Sequence, residues 1–530
     1  MKIKLLFGLI IFLAFFLRFW DLGKNPPGIN LDEAAIGYNA YSILKTGRDE
    51  YGQFLPLQFR SLDDYKPPLY IYLTIPTVAI FGLNEFSVRL PSALLGVGAV
   101  VLVYFLTKEL LKDSGSGRSE VIGLVASGLL AISPWHLQFT RTAYETGSLA
   151  FFTTGGLLFF LYGIKKRPYL ILSAVFFGLE LYLYQAAKVF VPLFVIVLTL
   201  VNLRKSLIVF WLVFTLFLLP QVYLSITPQG QLRARGTSIF QDVIPHVVNL
   251  RYKTEDWLRN DNKSATIFHP ESFAYLPTAI NNYFLHLSPQ FFFGFNLGPK
   301  VNYADNIGLM YLWEAPLLLA GLYFLIKSKK NALLLGSWIL LAPVAASITI
   351  NLPSAVRTAV FLPALQIVTA LGAFEIFKKY KKIMYAFCLL AFAFLIYYLH
   401  MYYVHAPISQ AKNWYQGYKE IILDSAKLAP NYNRVLVSNK LDQSLNFYQF
   451  YLNYDPKKYL QVDGGRVSGG FTENDNHLGN MYFRRDLNFE KERKTPGTLF
   501  VGIKEEFSSG AKIIREYKFL NGEVAAIIAE

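Results

Sequence analysis

Asn30-Leu31-Asp32-Glu33 and, further along, Asp63-Asp64-Tyr65-Lys66-Pro67-Pro68-Leu69 bound the stretch on which the reading of this chain turns. An apolar segment that starts at the N-terminus precedes it, and a long series of apolar segments follows. Two adjacent acids just outside a membrane span, then a lysine and a rigid Pro-Pro returning to the membrane, point to an active site at a membrane surface. Ionisable groups near a bilayer are costly and tend to be functional. Plainer readings stand beside this one. An Asp-Glu pair can simply cap a helix, and an interfacial lysine can snorkel to lipid head groups.

Composition supports the membrane setting. Of 530 residues 54% are hydrophobic and only 16% charged, against about 25% charged in soluble chains. Many apolar runs approach the ~20 residues that cross a bilayer. The net charge of +15 does not point to nucleic acid, because Lys and Arg cluster in short loops between apolar runs, where they set topology. The one cysteine, Cys388, lies in an apolar run, so no intramolecular disulfide is possible.

The first apolar run, Leu5–Trp20, follows Lys2 and Lys4 and could be a signal peptide. Arg18-Phe19-Trp20-Asp21 is a poor cleavage site, so a retained first span with a cytoplasmic N-terminus is expected. Pro67–Phe81 is short and interrupted by Pro76, which suits a helix lying in the interface. Spans are then expected at about Phe86–Leu111, Val121–Ser133, Thr146–Gly163, Leu170–Tyr184, Val189–Leu203, Leu207–Leu224, Gly308–Ile326, Ala332–Ile350, Ala355–Phe377 and Met384–Tyr403. That gives about eleven, with every basic cluster on one side. A large polar outer loop, 225–306, is expected with an interfacial helix near Tyr283–Phe295.

Residues 1–405 thus read as a helical polytopic membrane domain, with the acids in an outer loop at 21–83. Residues 406–530 read as a small extracytoplasmic α/β domain of normal charge density. Strands are expected at Arg434–Ser438, Thr498–Ile503 and Glu523–Ile528, and helices at Trp414–Leu428 and Leu441–Tyr454. Asn521-Gly522 is a hairpin turn signal. Tyr448, Phe450, Tyr451 and Tyr454 could stack on sugar or form the core of this domain; core is preferred.

Asn25-Pro26-Pro27-Gly28 makes a rigid turn before the acids, and Ala34–Leu44 favours helix, which places Asp32 at or near an N-cap with Glu33 in the first turn. On the same side of the membrane, Ser133–Glu145 carries His136, Arg141 and Glu145, the next turn carries Tyr184, Gln185 and Lys188, and Arg357 follows Ser354. Each could be an interface anchor; their joint placement on the side of Asp32 favours a site. Tyr65, His136, Glu145, Tyr184 and Lys188 are candidate substrate contacts. No spacing resembles a zinc or calcium site, and no Walker or Rossmann fingerprint is present.

Together with the acid pair and Lys66-Pro67-Pro68-Leu69, the run Asn84-Glu85-Phe86-Ser87-Val88-Arg89-Leu90-Pro91-Ser92-Ala93 resembles the C-type (GT-C) membrane glycosyltransferases. Within them it is similar to the protein O-mannosyltransferase and lipid A aminoarabinose transferase group. The Ser133–Glu145 and Ser354–Pro363 blocks are similar to outer-loop features of that family. The resemblance covers roughly residues 1–400 and is weak for the tail. It implies a polyprenyl-phosphate sugar as donor, attack of an acceptor hydroxyl on C1, and inversion of configuration. It implies Asp32 as the catalytic base, Glu33 orienting it or the acceptor, and Lys66, Arg357 and Arg141 holding the departing lipid phosphate. The acceptor, on protein, lipid or glycan, stays open. No cofactor is implied, since side-chain cations can stabilise the leaving phosphate; a divalent metal is left open. The rivals are a transporter or flippase of lipid-linked sugars, an oligosaccharide polymerase or ligase, and a scaffold presenting the tail. A transporter calls for mid-membrane charges and broken helices, whereas here Glu180 is the main mid-span acid.

Overall fold

The computed structural model describes residues 2–61, 64–295, 300–327, 329–466 and 476–530; Asp63 lies outside them. The chain is mostly helical, with eight short strands among the described residues. It divides into two compact units, and neither coincides with residues 1–405 or 406–530. One comprises Met1–Ile10, Ala99–Trp135 and Leu149–Ala391, the other Ile11–Gly98, His136–Ser148 and Phe392–Glu530.

The first unit is a bundle of apolar helices. Helices Ala315–Ile326 and Leu362–Lys379 pack backbone to backbone because Gly321 and Gly372 face each other's neighbours; a Cβ on either would collide with Val368 O or Leu317 O. Small residues serve the same end where Leu149–Gly163 meets Pro168–Glu180, with Gly155 and Gly156 under the rings of Phe176 and Phe177. On Leu207–Ile226, Ile208, Leu212, Leu216 and Leu219 form an exposed stripe at helical spacing. Such a stripe is stable against lipid rather than water.

Among the described residues five helices are long and apolar enough to cross a membrane, and six if Gly117–Ile132 and Pro134–Thr140 are counted as one bent span. Others sought as spans are shorter: Pro168–Glu180 and Ala187–Val201 have 13 and 15 residues, about 20 Å and 22 Å of rise. The chain is a membrane protein with several apolar helices, as its composition implied. Leu69–Phe81, read as an interfacial helix, is a 13-residue helix with Pro76 inside it.

The loop at 225–306 was expected to be polar with one interfacial helix. Instead it is largely helical, with Pro228–Thr237, Val243–Leu258, Leu276–Leu285 and Pro289–Phe293. Val243, Ile244, Val247 and Val248 are exposed on one of them. Their helical spacing was hidden because interleaved polar residues lower the mean hydropathy of any window.

The second unit combines the acid-bearing helix Leu31–Thr46 with a hairpin and a sheet. Strands β1 (Phe59–Ser61) and β2 (Asp64–Lys66) pair antiparallel, with Phe59 opposite Lys66. The tail contributes β3 (Arg434–Ser438), β4 (Asn476–Leu478), β5 (Met481–Arg484), β6 (Thr498–Gly502), β7 (Ile513–Lys518) and β8 (Val524–Ala529). Their order is β4-β5-β3-β6-β8-β7, with β3 parallel to β5 and β6 and the other pairs antiparallel. The three expected strands fall at β3, β6 and β8, and Gly522, at φ +87°, turns β7 into β8 as the Asn-Gly signal required. The expected helices start late, at Tyr418 and Ser444. Gly417 has φ +89°, and Asp442 and Gln443 have φ 52° and 58°, a conformation no helix continues through. Tyr448, Phe450 and Tyr451 are buried, and Tyr448 Oη lies 2.8 Å from Ser425 Oγ, so these aromatics are core. Gly37 of the acid helix leaves room for the Phe450 ring, so the tail and the acid helix share one core.

Candidate active site

The acid helix begins with a capping box. Glu33 N donates to Asn30 Oδ1 at 2.8 Å, and Asn30 N donates to Glu33 Oε2 at 3.2 Å. The cap is therefore Asn30 and not Asp32, which lies one residue into the first turn. Before it, Gly28 passes so close to Trp414 O that any Cβ would collide.

Glu33 is fully buried. Arg89 clamps it from Nε to Oε1 and from Nη2 to Oε2, both at 3.0 Å. Ala143 N donates to Oε1 at 2.8 Å. With four donors on its two oxygens, Glu33 is a charge-assisted structural node. Arg89 also donates to Leu22 O and Pro26 O, each at 3.1 Å, and to Gly28 O, which fixes the turn leading into the acid helix. Arg89 was not among the candidates read from the sequence. Its signal was present, because a cation inside the apolar helix Glu85–Leu110 requires a buried partner.

Asp32, next to this node, differs in every respect. Its side chain is 57% exposed and pairs with Lys66 Nζ, whose own side chain is 8% exposed. The hairpin and Pro67-Pro68 hold that lysine. Tyr65, half-buried on β2, has its N–H on Asp64 Oδ1 at 2.7 Å. Tyr144 was also missed. Burial first, then the carboxylates of Asp32, Glu33 and Glu145, push its phenol well above the usual 10, so it stays a proton donor beside the acids.

Arg141 is buried and braces the backbone, with Nη1 to Leu17 O at 2.8 Å, Nη2 to Asn25 O at 3.0 Å and Nε to Tyr402 Oη at 3.1 Å. His136 Nδ1 accepts from Arg18 Nη2 at 2.8 Å. Glu145 opens the short turn Glu145–Ser148. Asp32, Glu33, Tyr65, Lys66, His136, Arg141 and Glu145 all belong to the second unit.

The remaining candidates lie in the first unit. Tyr184, Lys188 and Arg357 line one cavity of about 530 Å3, together with Arg235, which the sequence reading did not select. Val189, Ala345 and Ile348 give it an apolar wall. Arg357 Nη1 donates to Thr349 Oγ1 at 2.7 Å and Ile350 O at 2.5 Å. The loop carrying it is pinned by His286, whose Nε2 accepts from Ser354 N at 3.1 Å while Nδ1 donates to Asn282 O at 2.7 Å. Burial, and then the nearby Arg357, hold this imidazole below its ordinary 6.5. Among the described residues no group of three His, Cys, Asp or Glu is placed to hold a metal.

Residues 65–224 match the family described as dolichyl-phosphate-mannose-protein mannosyltransferase. The chain is similar to YycA of Bacillus subtilis, 31% identical over 162 residues, which are 29% of this chain and 22% of that protein. It is also similar to a polyprenol-phosphate-mannose-protein mannosyltransferase of Mycobacterium tuberculosis, 30% identical over 174 residues, 32% of this chain and 31% of that one. The matched stretch thus spans less than a third of the length of these curated relatives. In fold the chain is similar to ArnT from Cupriavidus metallidurans, with TM-score 0.53 at 14% identity over 99% of this chain and 97% of ArnT. The ArnT structure bound to undecaprenyl phosphate gives the same TM-score at 15% identity over 98% and 97%. By sequence across residues 65–224, and by fold across nearly its whole length, the chain resembles the GT-C membrane glycosyltransferases of the protein O-mannosyltransferase and ArnT-like group.

Proposed function

We propose that this protein is an inverting glycosyltransferase that moves a sugar from a polyprenyl-phosphate donor to an acceptor hydroxyl on protein, lipid or glycan. It acts at the outer face of the plasma membrane, which the chain spans about eleven times from a cytoplasmic N-terminus. The observation that carries this reading is the division of labour in the acid pair: Glu33 is locked and buried, while Asp32 presents an exposed carboxylate paired with Lys66. The names of the relatives and their lipid-phosphate mannose donors support the substrate class.

In this reaction the acceptor oxygen bonds to C1 of the sugar as the C1–O bond to phosphate breaks. Attack from the opposite face inverts the configuration. Asp32 takes the hydroxyl proton, for which a carboxylate within hydrogen-bond reach is needed. Glu33 acts through the backbone, holding the first turn of the acid helix, so it is a positioning residue. Lys66 steers Asp32 and is placed to meet a phosphate. The polyprenyl phosphate leaves with its extra negative charge, which preorganised cations stabilise. The cavity with Lys188, Arg235 and Arg357 on an apolar wall suits a lipid phosphate: cations for the head and apolar surface for the chain. Tyr184 lines the same cavity, and Tyr65, His136 and Glu145 remain proposed contacts to the sugar or acceptor. Arg141 is assigned to bracing.

The test is transfer by the purified protein from a panel of polyprenyl phosphate sugars, with Asp32→Asn alongside. Saturable turnover of one donor by the wild type and none by the variant is the expected result. Equal turnover by both would remove Asp32 as the base.

A further inference from the structure

The far end of the acid helix borders a cavity of about 640 Å3 that the transfer reaction does not use. Lys45, Arg48, Lys457 and Arg466 converge on it, and among its described lining residues there is no Asp or Glu. Arg466 is buried and is held in place by Asn446 Oδ1 at 2.7 Å and by the buried Glu50 at 3.5 Å. Arg60 and Arg466 both lie over the Tyr51 ring, at 4.7 and 5.8 Å. Gly464 and Gly465, at φ +80° and +69°, form the wall beside Arg466.

Two of the other cations also have a local contact. Lys45 lies over Tyr41 at 5.6 Å, and Arg48 Nη1 donates to Gly52 O at 2.7 Å. A guanidinium carries five N–H groups and an ammonium three, so such contacts leave capacity for an anion. Four like charges around one concave space repel one another and raise the local anion concentration. Arg466 pairs with the carboxylate of Glu50. We propose that this cavity binds an anionic group, a phosphate or carboxylate such as a charged sugar carries. It lies roughly 20 Å along the helix from Asp32, from 13 residues at 1.5 Å each, so its ligand is bound away from the bond being made. The proposal does not depend on the transfer reaction.

The experiment is calorimetric titration of the full-length protein in nanodiscs with glucose 6-phosphate, glucuronate and glucose. At least one anionic sugar should bind at least tenfold tighter than glucose, and less tightly as salt is raised; the tighter of the two identifies the anionic group. Lys45→Glu with Lys457→Glu, both exposed positions, should lower that affinity at least tenfold, and Asp32→Asn should leave it unchanged. Equal binding of glucose, no binding of either anionic sugar, or full affinity in the double variant would overturn the proposal. Since binding is read without turnover, loss of transfer with this affinity intact, or the reverse, tells the two readings apart.

Discussion

The two ends of the helix Leu31–Thr46 carry opposite charge and use it differently. At its N-terminus two acids sit where the helix dipole favours anions; at its C-terminus Lys45 sits where it favours cations. Dipole complementarity alone would make both ends unremarkable caps. The surroundings separate them. At the first end one acid is sealed by Arg89 and two backbone amides, and the other stays in solvent beside Lys66. At the second end the cations surround open space. A charge that is fully matched builds structure, and a charge with room beside it can act on a ligand.

The sharpest way to break this contrast is to neutralise each acid in turn. Asp32→Asn should lower kcat by about 100- to 10,000-fold, the usual reach of general-base catalysis, and leave thermal unfolding unchanged. Glu33→Gln should do the reverse in kind. It leaves Arg89 buried without its counter-charge, at a cost of about 3–5 kcal/mol. Its folded fraction in nanodiscs should drop, and residual activity should follow that fraction. If Glu33→Gln is stable but inactive, Glu33 has a chemical role and the contrast fails.

A smaller effect belongs to the first unit. Arg357→Ala should weaken binding of polyprenyl phosphate about tenfold or more, as loss of a charge-assisted hydrogen bond does, with Asp32→Asn binding normally. Unchanged affinity would mean that Arg357 only ties its own loop through Thr349 and Ile350.

The smallest effect is one of pH. His286 is held below 6.5 when folded, by burial first and then by the nearby Arg357. Below about pH 6.5 the unfolded chain takes up a proton that the folded chain resists. Stability should therefore fall as pH drops, by at most about 1.4 kcal/mol per unit from this group. Unfolding followed between pH 8 and 5.5 should show a slope that His286→Asn reduces; an identical slope would exclude this histidine as its source.

Much was legible in the residues themselves. Long apolar runs gave the helical membrane character, short strand-like runs and an Asn-Gly pair gave β3, β8 and the turn into β8, and the Pro-Pro-Gly turn placed the acids at a helix start. What the reading missed shares one cause. Tyr144 and Arg235 are ordinary in their own windows, and Arg89 stands out only as a cation in an apolar helix; in each case long-range neighbours decide the role. The amphipathic helix Val243–Leu258 was averaged away as polar loop, and the helices of the tail were drawn too long because Asp442 and Gln443 look harmless until their backbone angles are known.

The sequence by itself determined the class of the protein. Hydropathy, the clustering of Lys and Arg in short loops between apolar runs, and the Asp-Glu and Lys-Pro-Pro motifs are local properties that need no partner to be read. Only the tertiary structure decided which acid of the pair is exposed, that Asn30 and not Asp32 is the cap, and that the tail packs on the acid helix. Those outcomes depend on which groups approach across tens to hundreds of residues. A carboxylate becomes a buried brace or an accessible base according to the donors that fold onto it, and adjacent residues on a helix face different directions.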